Sequence, residues 1–411
     1  MSTQNKIKLY GFGVVGQGFQ HYLAQNEDAK RLHTIIVKDD TKKRKNVPSV
    51  IECTNDKTLR DKDVDVILEL ISSPEEAYGI VAENLEIGKK VISANKKLIA
   101  ENLAELIKIE RNHKGTFLYE GAVCGSIPII RILNDLYANE PIEEIKGIFN
   151  GSSNYILSKI FSENISYEDA LIQAQELGFA EADPTSDLGG FDSLYKLIIL
   201  TAHAFGKVIQ PKEVLNIGID SLTKNDIEFA KNNHLKIKLV ANVKLIKNEL
   251  TLTVLPTLVT TDNDLFNVEN EYNGVLIRST NIGQQFYKGK GAGSLPTGSV
   301  VYADLKAIDN EYRYSYNKLK QQQFEFSNDE EITVILNAND SLAVKNLPVE
   351  IKNLFPLDLF GKQFIAKISI EELKENKYTI QKAGVSVIAV DDEKLADKII
   401  QKSFIEETLI A

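Results

Sequence analysis

Between Gly178 and Lys196 the chain sets the carboxylates Glu181, Asp183, Asp187 and Asp192 ahead of a single lysine. Asp192 and Lys196 are four apart, so a helix beginning near Asp192 places them on one face. There a carboxylate holds an ammonium, and the ammonium is a proton donor. That pairing suits an amino-acid substrate on which one group gains or loses a proton. The plainer reading is a surface loop whose Asp192 caps a helix, with Lys196 exposed one turn later. A second polar run, Asn150-Gly151-Ser152-Ser153-Asn154, precedes a helix-like segment through Ile156, Leu157 and Ile160. Its amides and hydroxyls either orient a small polar substrate or cap that helix.

The elements that must carry these groups begin with a strand over Lys6 to Tyr10. It runs into Gly11-Phe12-Gly13-Val14-Val15-Gly16 and then a helix through Phe19 and Leu23. In that order Gly11 permits the tight turn and Gly13 lets a pyrophosphate approach the backbone. Gly16 lets the helix pack on the strand, and the free helix N–H groups face the phosphates. A second strand is predicted over Thr34 to Lys38, and its end faces the adenosine ribose. An acid there favours NAD and a base favours the extra phosphate of NADP. Lys38, Asp39, Asp40, Lys42, Lys43 and Arg44 supply both kinds. The number of cations inclines the reading to NADP(H) over NAD(H), with a solvated loop as the alternative.

Val64 to Ile71 reads as a buried parallel strand, followed by Ser72-Ser73-Pro74 and a helix. Lys90 to Ser93 is another strand, and Lys96 follows it at the carboxyl end, where open α/β sheets bind ligands. Thr116 to Glu120 gives one more. From about Pro141 the pattern changes to α+β, with strands around Leu235 to Val243 and Glu249 to Leu255. The glycine-rich run Tyr287 to Thr297 is either a close approach to the cofactor or a hinge, and a helix is predicted from Val300. A glutamine-rich run from Lys318 to Phe324 marks a boundary before a small α/β module with strands at 331–336, 364–368 and 385–390. The expected fold class is α/β, a doubly wound Rossmann-like domain followed by an α+β domain with a sheet. The expected domains are 1–140, completed by about 300–318, then 141–299 and 320–411.

A length of 411 residues with 43% apolar and 26% charged residues is ordinary for a globular chain of two or three domains. The net charge of −10 disfavours nucleic acid as a partner. No apolar run reaches the roughly 20 residues that span a bilayer, and no hydrophobic leader precedes the first strand. A soluble cytoplasmic protein is expected. Cys53 and Cys124 have neither disulfide-framework nor zinc-site spacing, and Cys124 reads as a buried structural thiol.

Five motifs occur in one order: Gly11-Phe-Gly-Val-Val-Gly16, Ser93-Ala-Asn-Lys96, Glu120-Gly-Ala-Val-Cys-Gly-Ser-Ile-Pro128, Asn150-Gly-Ser-Ser-Asn-Tyr-Ile-Leu157 and Glu181 to Lys196. In this the chain resembles the homoserine dehydrogenases from about residue 6 to about residue 310. The resemblance implies interconversion of homoserine and aspartate 4-semialdehyde with a nicotinamide cofactor, a step toward threonine, methionine and isoleucine. It implies Lys196 as proton donor, with Asp192 and Lys96 in the catalytic group. Glu181 and Asp187 are implied at the substrate, and Ser72 and Ser73 near the nicotinamide ribose. A sodium or potassium ion on backbone carbonyls near Glu120, Val123 and Gly125, and a homodimer, are likewise implied. Ser152-Ser153 stands where the family commonly has threonines, and Cys124-Gly-Ser126 where alanine and glycine are common. Residues 320–411 do not clearly repeat the element order of the ACT domain often found at that end of the family. The rivals are another amino-acid dehydrogenase, such as an aspartate dehydrogenase, and a non-catalytic nucleotide-binding sensor.

Overall fold

The computed structural model describes the chain apart from residues 1–4, 43, 45–46, 48–51, 57–63, 322–323, 339, 359–361 and 411, and apart from the side chains of 404–410. Lys43 of the basic run and Gln322-Gln323 of the glutamine-rich run lie outside the described residues. The N-terminal stretch alternates β1 (Ile7–Tyr10), α1 (Val14–Gln25), β2 (Leu32–Ile36), β3 (Glu52–Thr54), β4 (Val66–Glu69), α2 (Pro74–Glu86), β5 (Lys90–Ser93), α3 (Lys96–His113) and β6 (Thr116–Leu118). These strands form one parallel sheet in the order β3-β2-β1-β4-β5-β6. Every residue of β1 and β4 is buried. A strand covered on both faces is largely apolar, as Ile7, Leu9 and Val66 to Leu68 are, with Lys8 and Glu69 the buried charged exceptions. The order places a topological switch between β1 and β4, where dinucleotides bind. The second strand lies two residues earlier than expected, because Leu32 and Thr34 pair with β1.

Next come the single turn α4 (Ile129–Arg131), β7 (Ile142–Ile148), α5 (Gly151–Glu163), α6 (Tyr167–Glu176), the short α7 (Thr185–Leu188) and α8 (Phe191–Phe205). They are followed by β8 (Leu215–Asn216), α9 (Lys224–Asn232), β9 (Lys236–Ile246), β10 (Glu249–Val259), β11 (Tyr272–Ser279), β12 (Gly283–Lys290) and α10 (Ser294–Asp309). The hairpin of β9 and β10 turns through Lys247 and Asn248, both at positive φ, which matches the right-handed twist of the strands they join. Part of the glycine-rich run is strand, since β12 extends to Lys290. The helix expected from Val300 begins at Ser294, after Gly293 at φ +124°.

Beyond α11 (Asn317–Gln321) and β13 (Glu325–Phe326) lie β14 (Glu331–Ala338), α12 (Ser341–Lys345), β15 (Lys352–Pro356), β16 (Gln363–Ser369), α13 (Ile370–Lys382), β17 (Val385–Val390) and α14 (Glu393–Ile410). From β14 to β17 this is a β-α-β-β-α-β unit with strand order β17-β14-β16-β15, the ferredoxin-like arrangement. The sequence pattern did not disclose that order. Strand β17 pairs parallel with β10 through Thr257↔Ala389 and Leu258↔Val390, so these strands continue the sheet that carries β12, β11, β7, β9 and β10. Leu215, Ile217 and Leu255 share one core with Val334, Leu336, Phe364, Leu373 and Val387. The chain divides into two compact units. One holds 1–140, 198–210 and 289–322; the other holds 141–197, 211–288 and 323–411.

Candidate functional site

The N-terminal unit presents a glycine turn at the end of β1. Gly11 has φ +90°, and a Cβ there would stand 2.5 Å from the carbonyl oxygen of Leu70. At Gly16 a Cβ would stand 2.6 Å from the carbonyl oxygen of Gly11, so α1 packs on the turn only without one. A Cβ on Gly13 would meet nothing within 4 Å. That space, above a helix start that no side chain caps, is where a phosphate finds the first N–H groups of α1, at Val14 and Val15. Phe12 is buried, and Val14 is exposed. The glycine turn thus fits a dinucleotide.

At the end of β2 Lys38 is exposed. Asp39 accepts the main-chain N–H and the hydroxyl of Thr41 at 3.0 and 2.6 Å, and these bonds hold its carboxyl below the usual range. Asp40 accepts from Asn55. Both carboxylates are engaged by neighbouring loop residues. After β4, Ser72 is exposed, and Ser73 caps α2 by accepting from Glu76 N–H at 3.3 Å. Lys96 is the first residue of α3, which Asn95 caps by accepting from Leu98 N–H.

The segment Glu120 to Ser126 lies in the same unit. The Glu120 carboxylate is buried and accepts N–H bonds from Ile130 and Arg131 at 2.7 and 2.9 Å, so both its oxygens are occupied. Burial and the neighbouring Asp304 carboxylate push Glu120 up to about 8, against the pull of Arg131. Asp304 pairs with the Arg131 guanidinium and accepts the Glu120 N–H. Cys124 and Gly125 both take left-handed φ, and a Cβ on Gly125 would stand 2.5 Å from the carbonyl oxygens of Lys290 and Gly291. Backbone oxygens thus crowd that turn. The thiol of Cys124 is buried.

In the second unit the helices α5 and α8 carry the polar constellation. Lys196 donates from Nζ to Asp192 Oδ2 and to the Phe149 carbonyl oxygen, both at 2.6 Å. Both side chains are buried, 8% and 3% exposed, which excludes an exposed lysine on a capping loop. Asp192 lies inside the first turn of α8. Asn150 caps α5 through Oδ1 on Ser153 N–H, and its Nδ2 donates to Asp187 Oδ1 at 2.8 Å and to Asp192 Oδ2 at 2.9 Å. The Ser152 hydroxyl stands 2.5 Å from the Phe179 carbonyl and 2.8 Å from Asp187 Oδ2. Gly151 opens α5 where a Cβ would stand 2.9 Å from Glu271 O. Asn150 thus both caps α5 and holds the Asp187 and Asp192 carboxylates.

Five of the expected residues, Asn150, Ser152, Asp187, Asp192 and Lys196, form one network. Glu181 is exposed, and among the described residues its carboxylate makes no hydrogen bond with that network. Two residues escaped the sequence reading. Asn273 on β11 is fully buried and donates to the Phe149 carbonyl at 2.9 Å. Lys238 on β9 is buried, donates to Asn154 Oδ1, Val268 O and Glu269 Oε2, and is pushed by burial down to about 8. A polar residue at a core-facing position of an alternating strand, as Asn273 is beside Val275 and Ile277, was the signal available.

Two family models match the chain: homoserine dehydrogenase, NAD binding domain, over residues 11–120, and homoserine dehydrogenase over residues 128–305. A homoserine dehydrogenase of Lactococcus lactis is 32% identical over 314 residues, 74% of this chain and 73% of that protein. The crystal structure of a homoserine dehydrogenase from Thiobacillus denitrificans superposes with a TM-score of 0.79 at 27% identity, over 95% of this chain and 99% of that one. A hyperthermophilic archaeal homoserine dehydrogenase in complex with NADPH gives 0.64 at 25% identity, over 76% and 99%. With a dinucleotide turn in one unit and a carboxylate-held lysine in the other, the chain belongs to the homoserine dehydrogenase family of NAD(P)-dependent oxidoreductases.

Proposed function

We propose that this chain interconverts L-homoserine and L-aspartate 4-semialdehyde, with Lys196 as the proton donor to the oxygen on C4. The observation that carries this reading is the Lys196 ammonium, held by Asp192 and the Phe149 carbonyl. An ammonium has three N–H bonds; two are engaged, and the third is left for a substrate oxygen. When bound, the nicotinamide supplies or accepts the hydride. Asp192 is the counter-ion that positions the ammonium, the group that gives up a proton as an alkoxide develops. Asp187, kept in place by Asn150 and Ser152, presents negative charge suited to the substrate ammonium. Glu181, exposed on the loop before α7, extends that field, and Lys96 at the start of α3 serves the cofactor and the reacting centre.

Glycines 11, 13 and 16 with Phe12, Val14 and Val15 cradle the pyrophosphate. Lys38 favours NADP(H) over NAD(H), since Asp39 and Asp40 are already engaged. Ser72 and Ser73 face the nicotinamide ribose. A monovalent cation on the backbone at Glu120, Val123 and Gly125 fits the oxygens crowded at that turn. Among the described residues no helix is long and apolar enough to cross a membrane. A cytoplasmic homodimer completes the reading, with residues 320–411, whose topology is ferredoxin-like, as a regulatory region.

The test mixes purified protein with aspartate 4-semialdehyde and either NADPH or NADH, follows loss of reduced nicotinamide, and identifies the product. Homoserine formation, faster with NADPH, is expected. Folded protein that turns over neither cofactor sinks the reading.

A further inference from the structure

Glu69 ends β4 with a fully buried side chain, and no step outlined above uses it. A buried carboxyl is costly unless its oxygens find donors. Here Oε1 accepts the Ile71 N–H at 2.8 Å and Oε2 accepts the Ser93 hydroxyl at 2.5 Å. Ile71 leads directly into Ser72 and Ser73, while Ser93 ends β5. The Ser93 Oγ in turn accepts the Asn95 N–H at 3.0 Å, and Asn95 Nδ2 reaches back to the Ile71 carbonyl at 3.2 Å. Asn95 Oδ1 caps α3 on Leu98 N–H, fixing the helix start at Lys96. Glu69, Ile71, Asn95 and Ser93 thus close a ring of hydrogen bonds that ties the turn after β4 to the turn after β5.

The position of this ring in the sheet gives it a role. In the order β3-β2-β1-β4-β5-β6 one mononucleotide half is built on β1 to β3 and the other on β4 to β6. The glycine turn belongs to the first half, at the pyrophosphate, and the ring belongs wholly to the second, where the nicotinamide end lies. We propose that Glu69 is a positioning residue for the nicotinamide half of the cofactor, holding the Ser72-Ser73 turn and the Asn95-Lys96 turn in one frame. The proposal rests on the dinucleotide reading of this unit. Burial pushes the Glu69 carboxyl up to about 7 while its two donors pull the other way, as expected of a group kept in the core for its hydrogen bonds.

The test is made on the full chain with Glu69→Ala, Glu69→Gln and Ser93→Ala. Binding is measured for the whole dinucleotide and for its adenosine half alone, namely NADPH with adenosine 2′,5′-bisphosphate, or NADH with ADP, whichever pair the unaltered protein prefers. Glu69→Ala is expected to weaken the dinucleotide about tenfold or more and the adenosine fragment less than about twofold. Glu69→Gln can still accept from Ile71 and donate to Ser93, and is expected to restore most of the affinity. Ser93→Ala opens the ring without removing the carboxyl and should weaken the dinucleotide selectively, which decides the matter if Glu69→Ala does not fold. Equal weakening of both ligands marks a structural role only and overturns the proposal, as does unchanged dinucleotide binding or failure of glutamine to rescue. Unaltered protein that binds neither NADPH nor NADH overturns the dinucleotide reading, and the proposal with it.

Discussion

Lys196 and Asn273 donate to the same oxygen, the main-chain carbonyl of Phe149, at 2.6 and 2.9 Å. A carbonyl oxygen has two lone pairs, so a donor fixed on one leaves the other to aim the lysine ammonium. Asn273→Ala should remove that constraint and lower kcat about tenfold with a smaller change in KM, because proton transfer depends steeply on geometry. The loss of one buried hydrogen bond should also cost about 1 kcal/mol of stability. Steady-state kinetics and denaturant melts of the variant check both; unchanged kcat in a destabilised variant would make Asn273 a packing residue only.

Removing the ammonium itself is more severe. Lys196→Ala should lower turnover roughly 10²-fold or more, the scale of general acid catalysis, and leave cofactor affinity nearly intact. Titration of the variant with NADPH separates the two effects, and a collapse of cofactor binding would remove Lys196 from the role of proton donor.

The two acidic residues assigned to the substrate should differ. Asp187 receives bonds from Asn150 and has the Ser152 hydroxyl beside it, whereas Glu181 is exposed. Asp187→Asn should raise the Michaelis constant for homoserine about tenfold. Glu181→Gln should raise it about twofold, as expected where a charge is screened by solvent. Equal effects from the two variants would place Glu181 at the substrate on the same footing.

Cofactor choice should follow the charge at the end of β2. Lys38→Glu should lower the ratio of NADPH to NADH efficiency about tenfold, chiefly through the NADPH term, because only that cofactor carries the extra phosphate. Rates with each cofactor measure it directly, and an unmoved ratio would mean that Lys38 is a solvated loop residue.

Stability should depend on pH through buried groups of the N-terminal unit. Burial raises Glu120 to about 8, and Glu69 and Glu110 to about 7, above their unfolded values. A raised carboxyl binds its proton more tightly in the folded state, so its contribution is fully present below the unfolded pKa and is lost as pH rises through the folded one. His203 works in the opposite sense: burial pushes it down to about 3, so stability is lost as pH falls below its unfolded value of 6.5. Above about pH 4.5 the three raised carboxyls outweigh the one lowered histidine, so melting should fall from about pH 5 toward about pH 8.5, with a shallower fall in Glu120→Gln. A melting temperature that climbs across that interval in the unaltered protein would contradict the assignment.

The glycine turn, the parallel strands and the pairing of Asp192 with Lys196 were legible because each depends on local rules. Gly11 and Gly16 are required where a Cβ would strike a backbone oxygen, β1 and β4 are largely apolar because both faces are covered, and Asp192 and Lys196 meet because a helix turns every 3.6 residues. Spacing along one helix could not say whether that pair is buried, or that Asn150 and Asp187 would join it, since those contacts span up to 42 residues of chain. Nor could it reveal Asn273, 124 residues from Phe149, or the ring that Glu69 closes with Ser93 across two strands. The C-terminal strands were recognised one by one, but their joining to β10 was not. Strand pairing across such distances is set by which apolar faces find one another in three dimensions, here Leu215, Ile217 and Leu255 against Val334 and Leu336. Local sequence determined the chemistry this chain carries; burial and long-range pairing decided which groups stand together to perform it.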